Sequence, residues 1–346
     1  MNKLKILIVL LILINSKADA QQKPYYTQYI LNNYILNPAL SGIENYTDLK
    51  LSYRNQWTEI PGAPQTMYAT IHAPIGKADY KTTPTSFEPA GENSIGNDWF
   101  EENVTSPPHH GVGLSIVNDK TGYLSRFTIS GSYAYHKGMS EKTTLSLGFQ
   151  AGFSNVTLDR SKIDWANSSM DPNDPAIGYS TGELKKAMPE IGAGVWLYSH
   201  DFFVGASVLN IVPGKAKFVK NDKYGTYFVP HYFAQAGYRL PMSSGLTFLP
   251  SVLLQWISPQ PVQAHVNAKF QYEDKLWFGG SYRYTDKLGG FAAMAGVNIS
   301  NTLNIGYAYD FANNSRLRAY QGNTHEIIVG FLLGNRFRQI CPRCSW

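Results

Sequence analysis

The sequence predicts an all-β protein: a transmembrane antiparallel β-barrel of about 14 strands, with an N-terminal irregular segment that plugs or braces the barrel. Three observations lead to this prediction. Apolar and polar residues alternate in one segment after another, many of these segments are long enough to cross a membrane, and the connections sort into short turns and long loops. Barrel closure would also pair the sheet edges that so many strands otherwise expose.

The first 20 residues have the features of a secretory signal peptide. Two lysines precede the apolar run 6–14, and Ala18-Asp19-Ala20 supplies the small residues of a cleavage site. We expect cleavage before Gln21, since the apolar run is short for a membrane anchor. The mature chain is therefore expected to be exported.

Residues 21–46 form the N-terminal irregular segment of this prediction. Asn32, Asn33, Asn37 and Pro38 stand among aromatic residues, a mixture too polar and irregular for a membrane strand. We expect this segment to fold into or under the barrel and to occlude part of its lumen.

The strands follow from period-two alternation, which is clearest in the stretch "VQAHVNAKFQY" at 262–272. Its apolar residues would face lipid, and its Gln, His, Asn and Lys residues would line the lumen. A barrel over 47–335 results. Its strands are expected near 47–57, 65–73, 111–118, 126–136, 143–155, 190–199, 202–210, 229–240, 245–256, 262–273, 275–284, 290–300, 302–311 and 323–333.

The connections indicate how the barrel is oriented in the membrane. Short turns alternate with longer loops, which is typical of an outer-membrane barrel whose termini and short turns are periplasmic. One connection does not fit this alternation, because the insertion 77–110 falls where a periplasmic turn is expected. Its Pro, Thr, Glu, Asn and Asp content favours a disordered insertion over a docking element.

No enzymatic constellation or metal-ligand set stands out in the sequence, so we expect no catalysis, no metal and no cofactor. The net charge of +5, without a block of basic residues, gives no reason to expect a nucleic-acid partner.

Two cysteines, Cys341 and Cys344, form a CxxC in the tail 336–346. A disulfide or incidental thiols are favoured over a redox pair or half of a zinc site. The same tail is either a solvated ending or a periplasmic partner contact through Arg336, Phe337, Arg338 and Trp346.

Several motifs are similar to those of the PorP/SprF family, outer-membrane proteins associated with the type IX secretion system and gliding motility of Bacteroidetes. They include "YYTQYILNNYILNPALSG", "YRNQWTEIPGAPQTMYATIHAPI", "GVGLSIVNDKTGYLSRFTISGSYAYH" and "LSLGFQAGF". The resemblance covers nearly all of the mature chain. It implies a non-enzymatic outer-membrane barrel that binds, anchors or helps to secrete a cell-surface adhesin through its C-terminal secretion domain, or that links the outer membrane to the periplasmic secretion ring.

Two functions therefore remain open at this point. A partner-binding barrel would use luminal or rim residues to hold a secreted protein, whereas a porin-like solute channel would use them for selectivity. The expected partners are a secreted surface protein, type IX secretion or gliding components, and outer-membrane lipid. The candidate partner-binding or lumen-lining residues are Arg54, Gln56, Trp57, Arg239, His265, Lys269, Arg283 and Asp310.

Overall fold

The structure is a computed structural model that describes residues 26–77, 83–86, 105–159, 183–216, 226–243, 245–273, 275–284, 289–311 and 322–335. The expected signal peptide and the tail with its two cysteines lie outside the described residues. The strands are β1 (Thr47–Asn55), β2 (Gln65–Ile75), β3 (His109–Thr121), β4 (Leu124–Gly138), β5 (Thr144–Asp159), β6 (Glu183–Tyr198), β7 (Phe202–Leu209), β8 (Gly214–Ala216), β9 (Thr226–Phe228), β10 (His231–Tyr238), β11 (Leu240–Ser243), β12 (Leu246–Ile257), β13 (Gln263–Tyr272), β14 (Leu276–Tyr284), β15 (Gly290–Ser300), β16 (Leu303–Asp310) and β17 (Thr324–Leu333).

Fourteen of these strands form a closed antiparallel ring, made of β1 to β7, β10 and β12 to β17. Ring neighbours follow one another along the chain, and β1 pairs with β17 to join the two ends. β11 pairs with β12 beside the end of β10, and β8 and β9 form a separate two-stranded sheet. The predicted fold class, a transmembrane barrel of 14 strands, is confirmed.

Alternation along each strand places polar residues inside the ring and apolar residues outside. In β13, His265, Asn267 and Lys269 are buried, while Val266 between them is 56% exposed. β1 repeats this pattern, with Arg54 buried and its outward neighbour Tyr53 exposed. The apolar outer face suits lipid, and the polar inner face needs other partners to satisfy it.

The two ends of the barrel differ in their connections. At the turn end, where β1 begins and β17 ends, described turns such as 139–143, 199–201 and 301–302 are short. At the loop end, the connections 160–182 and 311–323 are long.

The insertion 77–110 joins β2 to β3 at the turn end, and its residues 83–86 are largely buried. For these four residues the expectation of disorder is wrong, because they pack against the chain just before β1.

Several strand bounds differ from the predicted ones. β3 to β6 contain 13, 15, 16 and 16 residues and extend further toward the loop end than expected. Their outward residues become polar there, as at Asn118 and Asn155, so pairing continues after the hydrophobic alternation has ended. β1 ends at Asn55 rather than near 57, and the predicted strand 229–240 is interrupted at Arg239. The short β8–β9 hairpin was not predicted.

Residues 26–46, which we call the plug segment, lie inside the ring. They form three short 3₁₀ turns, Thr27–Leu31, Asn33–Ile35 and Pro38–Leu40, and almost every residue is buried. The last turn is capped by Asn37, whose side chain accepts a hydrogen bond from the Ala39 amide, and Pro38 is at the first helical position. In the described part of the chain, no helix is long and apolar enough to cross a membrane.

Candidate functional site in the barrel lumen

The structure divides the candidate residues of the sequence analysis between the lumen and the barrel ends. Arg54, His265, Lys269, Arg283 and Asp310 lie on the inner face. Gln56 and Trp57 follow the end of β1 in the loop-end connection 56–64, and Arg239 lies at the turn end, where its amide donates to the carbonyl of Asp201 (2.6 Å). The tail residues Arg336, Phe337, Arg338 and Trp346, with Cys341 and Cys344, lie outside the described residues.

Four charged residues, Arg54, Arg283, Asp310 and Glu326, form a buried cluster that we call the charged clamp. Arg54 Nη2 lies 2.8 Å from Asp310 Oδ2, and Arg54 Nη1 lies 3.0 Å from Glu326 Oε2. Arg283 forms a second ion pair with Asp310. Two cations therefore face two carboxylates, which is the arrangement that makes burial of four charges tolerable.

The charged clamp holds the beginning of the plug segment. The Thr27 amide donates to Glu326 Oε2 (2.8 Å), and the Thr27 hydroxyl donates to Asp310 Oδ1 (2.9 Å) and accepts from Arg54. Gln28 Nε2 donates to the carbonyl oxygen of Glu326 (2.7 Å). The plug thus supplies hydrogen bonds to both carboxylates and accepts one from Arg54, in addition to the ion pairs.

Glu326 was missed by sequence reasoning, although it contacts both Arg54 and the plug. It faces Arg54 directly across the β1–β17 pair. In "THEIIVGFLL" it is the one carboxylate on the inward face, between Thr324 and Ile328. That isolated charge was the available signal, but its partner could be identified only once the first and last strands were known to pair.

A second set of residues, which we call the serine–glycine wall, surrounds the end of the plug segment. Ser207 Oγ donates to the carbonyl of Leu36 (2.6 Å), and Ser146 Oγ donates to the carbonyl of Ala39 (2.6 Å). The wall consists of Ser132, Ser146, Ser207, Gly111, Gly148 and Gly194.

The glycines of this wall allow the plug backbone to approach the barrel. A Cβ on Gly194 would overlap Asn37 Oδ1, and a Cβ on Gly148 would overlap the backbone of Ala39. Between them Asn37 Nδ2 donates to the carbonyls of Val195 (3.1 Å) and Ala206 (3.3 Å). Any side chain at these glycines would therefore occupy the space of the plug.

Further contacts connect the middle of the plug segment to other strands. Asn32 Nδ2 donates to Thr70 Oγ1 (2.9 Å), and the hydroxyl of Tyr34 bonds to Ser132 Oγ (2.7 Å). Asn267 donates to the hydroxyl of Tyr29. Because these partners lie on β2, β4 and β13, the segment is held from several sides of the ring.

At the turn end of the barrel, hydrogen bonds from the insertion hold the last residues of the plug segment. Lys77 Nζ donates to the carbonyl of Ile43 (2.7 Å), while Thr83 (3.4 Å) and Ser86 donate to the carboxyl of Glu44. Burial raises the pKa of the Glu44 carboxyl above its ordinary value, and the Ser86 hydrogen bond and the Lys77 charge oppose that rise.

A small cavity lies between the plug segment and the inner face of the barrel. Its volume is about 40 Å³, and it is lined by plug residues such as Tyr26 and Tyr29 and by strand residues such as Arg126, Gln255 and His265. This volume accommodates only a few water molecules. Among the described residues, no group of three or more His, Cys, Asp or Glu side chains is placed to hold a metal ion.

A family model described as "Type IX secretion system membrane protein PorP/SprF" matches residues 18–331. The chain belongs to the PorP/SprF family. The family resemblance stated from the motifs is confirmed, and the barrel is an outer-membrane component associated with type IX secretion.

Comparison with solved structures returns other outer-membrane barrels. Omp33 of Acinetobacter baumannii has a TM-score of 0.44 at 9% identity, over 85% of this chain and 100% of its own. A triple-mutant porin of Rhodopseudomonas blastica has a TM-score of 0.34 at 8% identity, over 83% of this chain and 98% of its own. No curated protein sequence matches this PorP/SprF chain.

Proposed function

We propose that this PorP/SprF barrel is a non-enzymatic partner of a secreted cell-surface protein, which it binds or anchors through the protein's C-terminal secretion domain. The observation that supports this most is a lumen filled by the chain's own plug segment in a family associated with secretion. A filled lumen gives a solute little room to pass, so the porin-like alternative has less support than partner binding.

We further propose that the loop end faces the cell exterior and carries the docking surface. The connection 56–64 there is held by backbone hydrogen bonds at both sides. Its Gly62 carbonyl accepts from the amide of Gly122 (2.7 Å), and the amide of Thr58 donates to the carbonyl of Asn323 (3.2 Å). A rim ordered before binding loses little conformational entropy when a partner docks.

Trp57 is our principal candidate on this rim. Its φ of 55° is left-handed, which is unusual for a bulky residue and is kept only where surrounding structure fixes it. The Trp57 amide donates to Thr324 Oγ1 (3.2 Å), and the residue is partly exposed. Partly exposed tryptophans on rigid surfaces are frequent binding hot spots.

Affinity purification of the full chain from solubilised outer membranes tests this proposal. The parent protein should retain a secreted surface protein, and Trp57→Ala should retain at least tenfold less. Trp256→Ala is the matched control, because Trp256 is exposed on the outer face of the barrel. Recovery of neither a surface protein nor a secretion component with the parent protein would overturn the proposal.

The turn end would then face the periplasm, where the second partner set suggested by the family resemblance, the secretion ring, is located. The tail residues Arg336, Phe337, Arg338 and Trp346 stay predicted contacts for it. Planar-bilayer recording of the purified barrel tests the channel alternative: a steady single-channel conductance would favour a porin, whereas its absence is expected for a plugged barrel.

A further inference from the structure

We infer that the plug segment stays in the barrel while the protein works, so that the partner protein never passes through or enters the space that residues 26–46 occupy. This inference rests on the proposed function and concerns where the partner can bind. It limits docking to surfaces outside the filled lumen, such as the rim around connection 56–64.

The charged clamp is the first reason. If the plug left, the carboxylate of Glu326 would lose the hydrogen bonds from the amides of Thr27 and Gln28, and Asp310 would lose the one from the Thr27 hydroxyl. Both carboxylates and Arg54 would still face each other inside the ring, with part of their hydrogen-bonding capacity unused. Water entering the vacated lumen would have to replace these fixed hydrogen bonds, so departure of the plug exchanges a preorganised partner for solvent.

The serine–glycine wall is the second reason. Gly111, Gly148 and Gly194 approach the plug so closely that any side chain would collide with it. In an emptied barrel these positions would leave gaps, and the hydroxyls of Ser146 and Ser207 would lose their carbonyl partners. The wall therefore fits this one occupant in shape and in hydrogen bonding.

The distribution of the contacts is the third reason. The plug segment bonds to β1, β16 and β17 at Thr27, to β2 and β4 in its middle, and to β5, β6 and β7 near Asn37 and Ala39. A segment held from so many sides cannot swing out about one hinge, because all these contacts must break together. Toward the turn end, Lys77 and Ser86 also hold residues 43 and 44 in place.

A disulfide lock tests the inference directly. Ser41 Oγ and Ser132 Oγ are 2.8 Å apart, which suits a disulfide between Ser41→Cys and Ser132→Cys. The native Cys341 and Cys344 are replaced by serine to prevent mispairing. The oxidised full-length barrel, displayed in outer membranes, should retain the same amount of surface protein as its reduced form and as each single-cysteine variant.

A loss of at least tenfold on oxidation, reversed by reductant, would show that the plug must move and would overturn the inference. If the reduced protein also retains no surface protein, the proposed function fails instead, and the two failures are thereby distinguished.

Thiol labelling provides a readout that needs no partner and no disulfide. Ser41→Cys alone, in the same cysteine-free background, should resist a polyethylene glycol maleimide in outer membranes isolated from secreting cells, where the reagent reaches both faces. Met139→Cys, at an exposed turn, is the control that should react. Labelling of Ser41→Cys at the rate of Met139→Cys would show that the plug leaves the lumen.

Discussion

The two ends of the plug segment are held by different kinds of chemistry. Thr27 and Gln28 lie in the charged clamp, where two arginines and two carboxylates share a buried site. Asn37 to Ser41 lie against the serine–glycine wall, where uncharged hydroxyls and missing side chains provide the fit. We therefore expect the stability of the protein to be sensitive to removal of a side chain at the clamp and to addition of a side-chain atom at the glycines of the wall.

This difference predicts that removal of a side chain will be most harmful at the clamp. Arg54→Ala leaves Glu326 and Asp310 with Arg283 alone, so we expect it to lower the free energy of unfolding by about 3–5 kcal/mol. Denaturant unfolding of the detergent-solubilised barrel measures this. The control is Lys275→Ala, which removes an exposed ion pair with Glu273 (3.9 Å) and should cost less than about 1 kcal/mol. Equal effects would contradict the role of the clamp.

Addition of a single methyl group should instead be most harmful at the wall. Gly194→Ala places a Cβ on Asn37 Oδ1, and we expect a loss of about 1–3 kcal/mol from overpacking. Gly131→Ala is the matched control, since the nearest atom to its Cβ would be 4.0 Å away, on the outer face. A neutral Gly194→Ala would mean that the plug can shift away from β6.

The hydrogen bonds of the wall should have smaller individual effects. Ser146→Ala leaves the carbonyl of Ala39 without its hydroxyl donor, so we expect a loss of about 1–2 kcal/mol in the same unfolding assay. Ser140→Ala, at an exposed turn, should change the stability little. If Ser146→Ala were as harmful as Arg54→Ala, the two ends of the plug would not differ as described.

The smallest effect on stability is expected at Glu44, near the turn end of the barrel. Because burial raises the pKa of Glu44 in the folded protein, protonation of Glu44 stabilises its buried position at the turn end. This contribution is fully present below the pKa of the unfolded chain and is lost as the pH rises through the higher folded value. Hydrogen exchange of the Ser86 amide should therefore be faster, relative to Glu44→Gln, as the pH rises. Identical pH profiles in both proteins would contradict the assignment.

Much of the barrel could be predicted because period-two alternation is a local signal. It gave the strand number and the inward placement of Arg54, His265 and Asp310 without any knowledge of pairing. The alternation did not predict strand residues that lie outside an alternating apolar stretch. β3 to β6 continue beyond their apolar stretch, and the β8–β9 hairpin contains three residues in each strand, too few for a period to be recognised.

The candidate site was harder to predict because its members meet only through closure of the ring. Arg54 was identified as a luminal charge, but Glu326 and Thr27 were not recognised as its partners. From the sequence, the glycines of the wall could either leave room for another group or allow a strand to bend. Only the structure shows that plug atoms occupy the room beside them. Gln56 and Arg239 were placed on strands that end or break one residue before each of them.

The pairing of Arg54 with Glu326 has a consequence for the order of assembly. The two residues are 272 positions apart, on the first and last strands, so their contact forms only when the barrel closes. Thr27 can therefore make all its hydrogen bonds to the clamp only after the barrel has closed. Asn37 and Ala39 bond to β5, β6 and β7, so their contacts do not depend on closure. Pairing of β1 with β17 therefore both closes the ring and completes the binding site for the first residues of the plug segment.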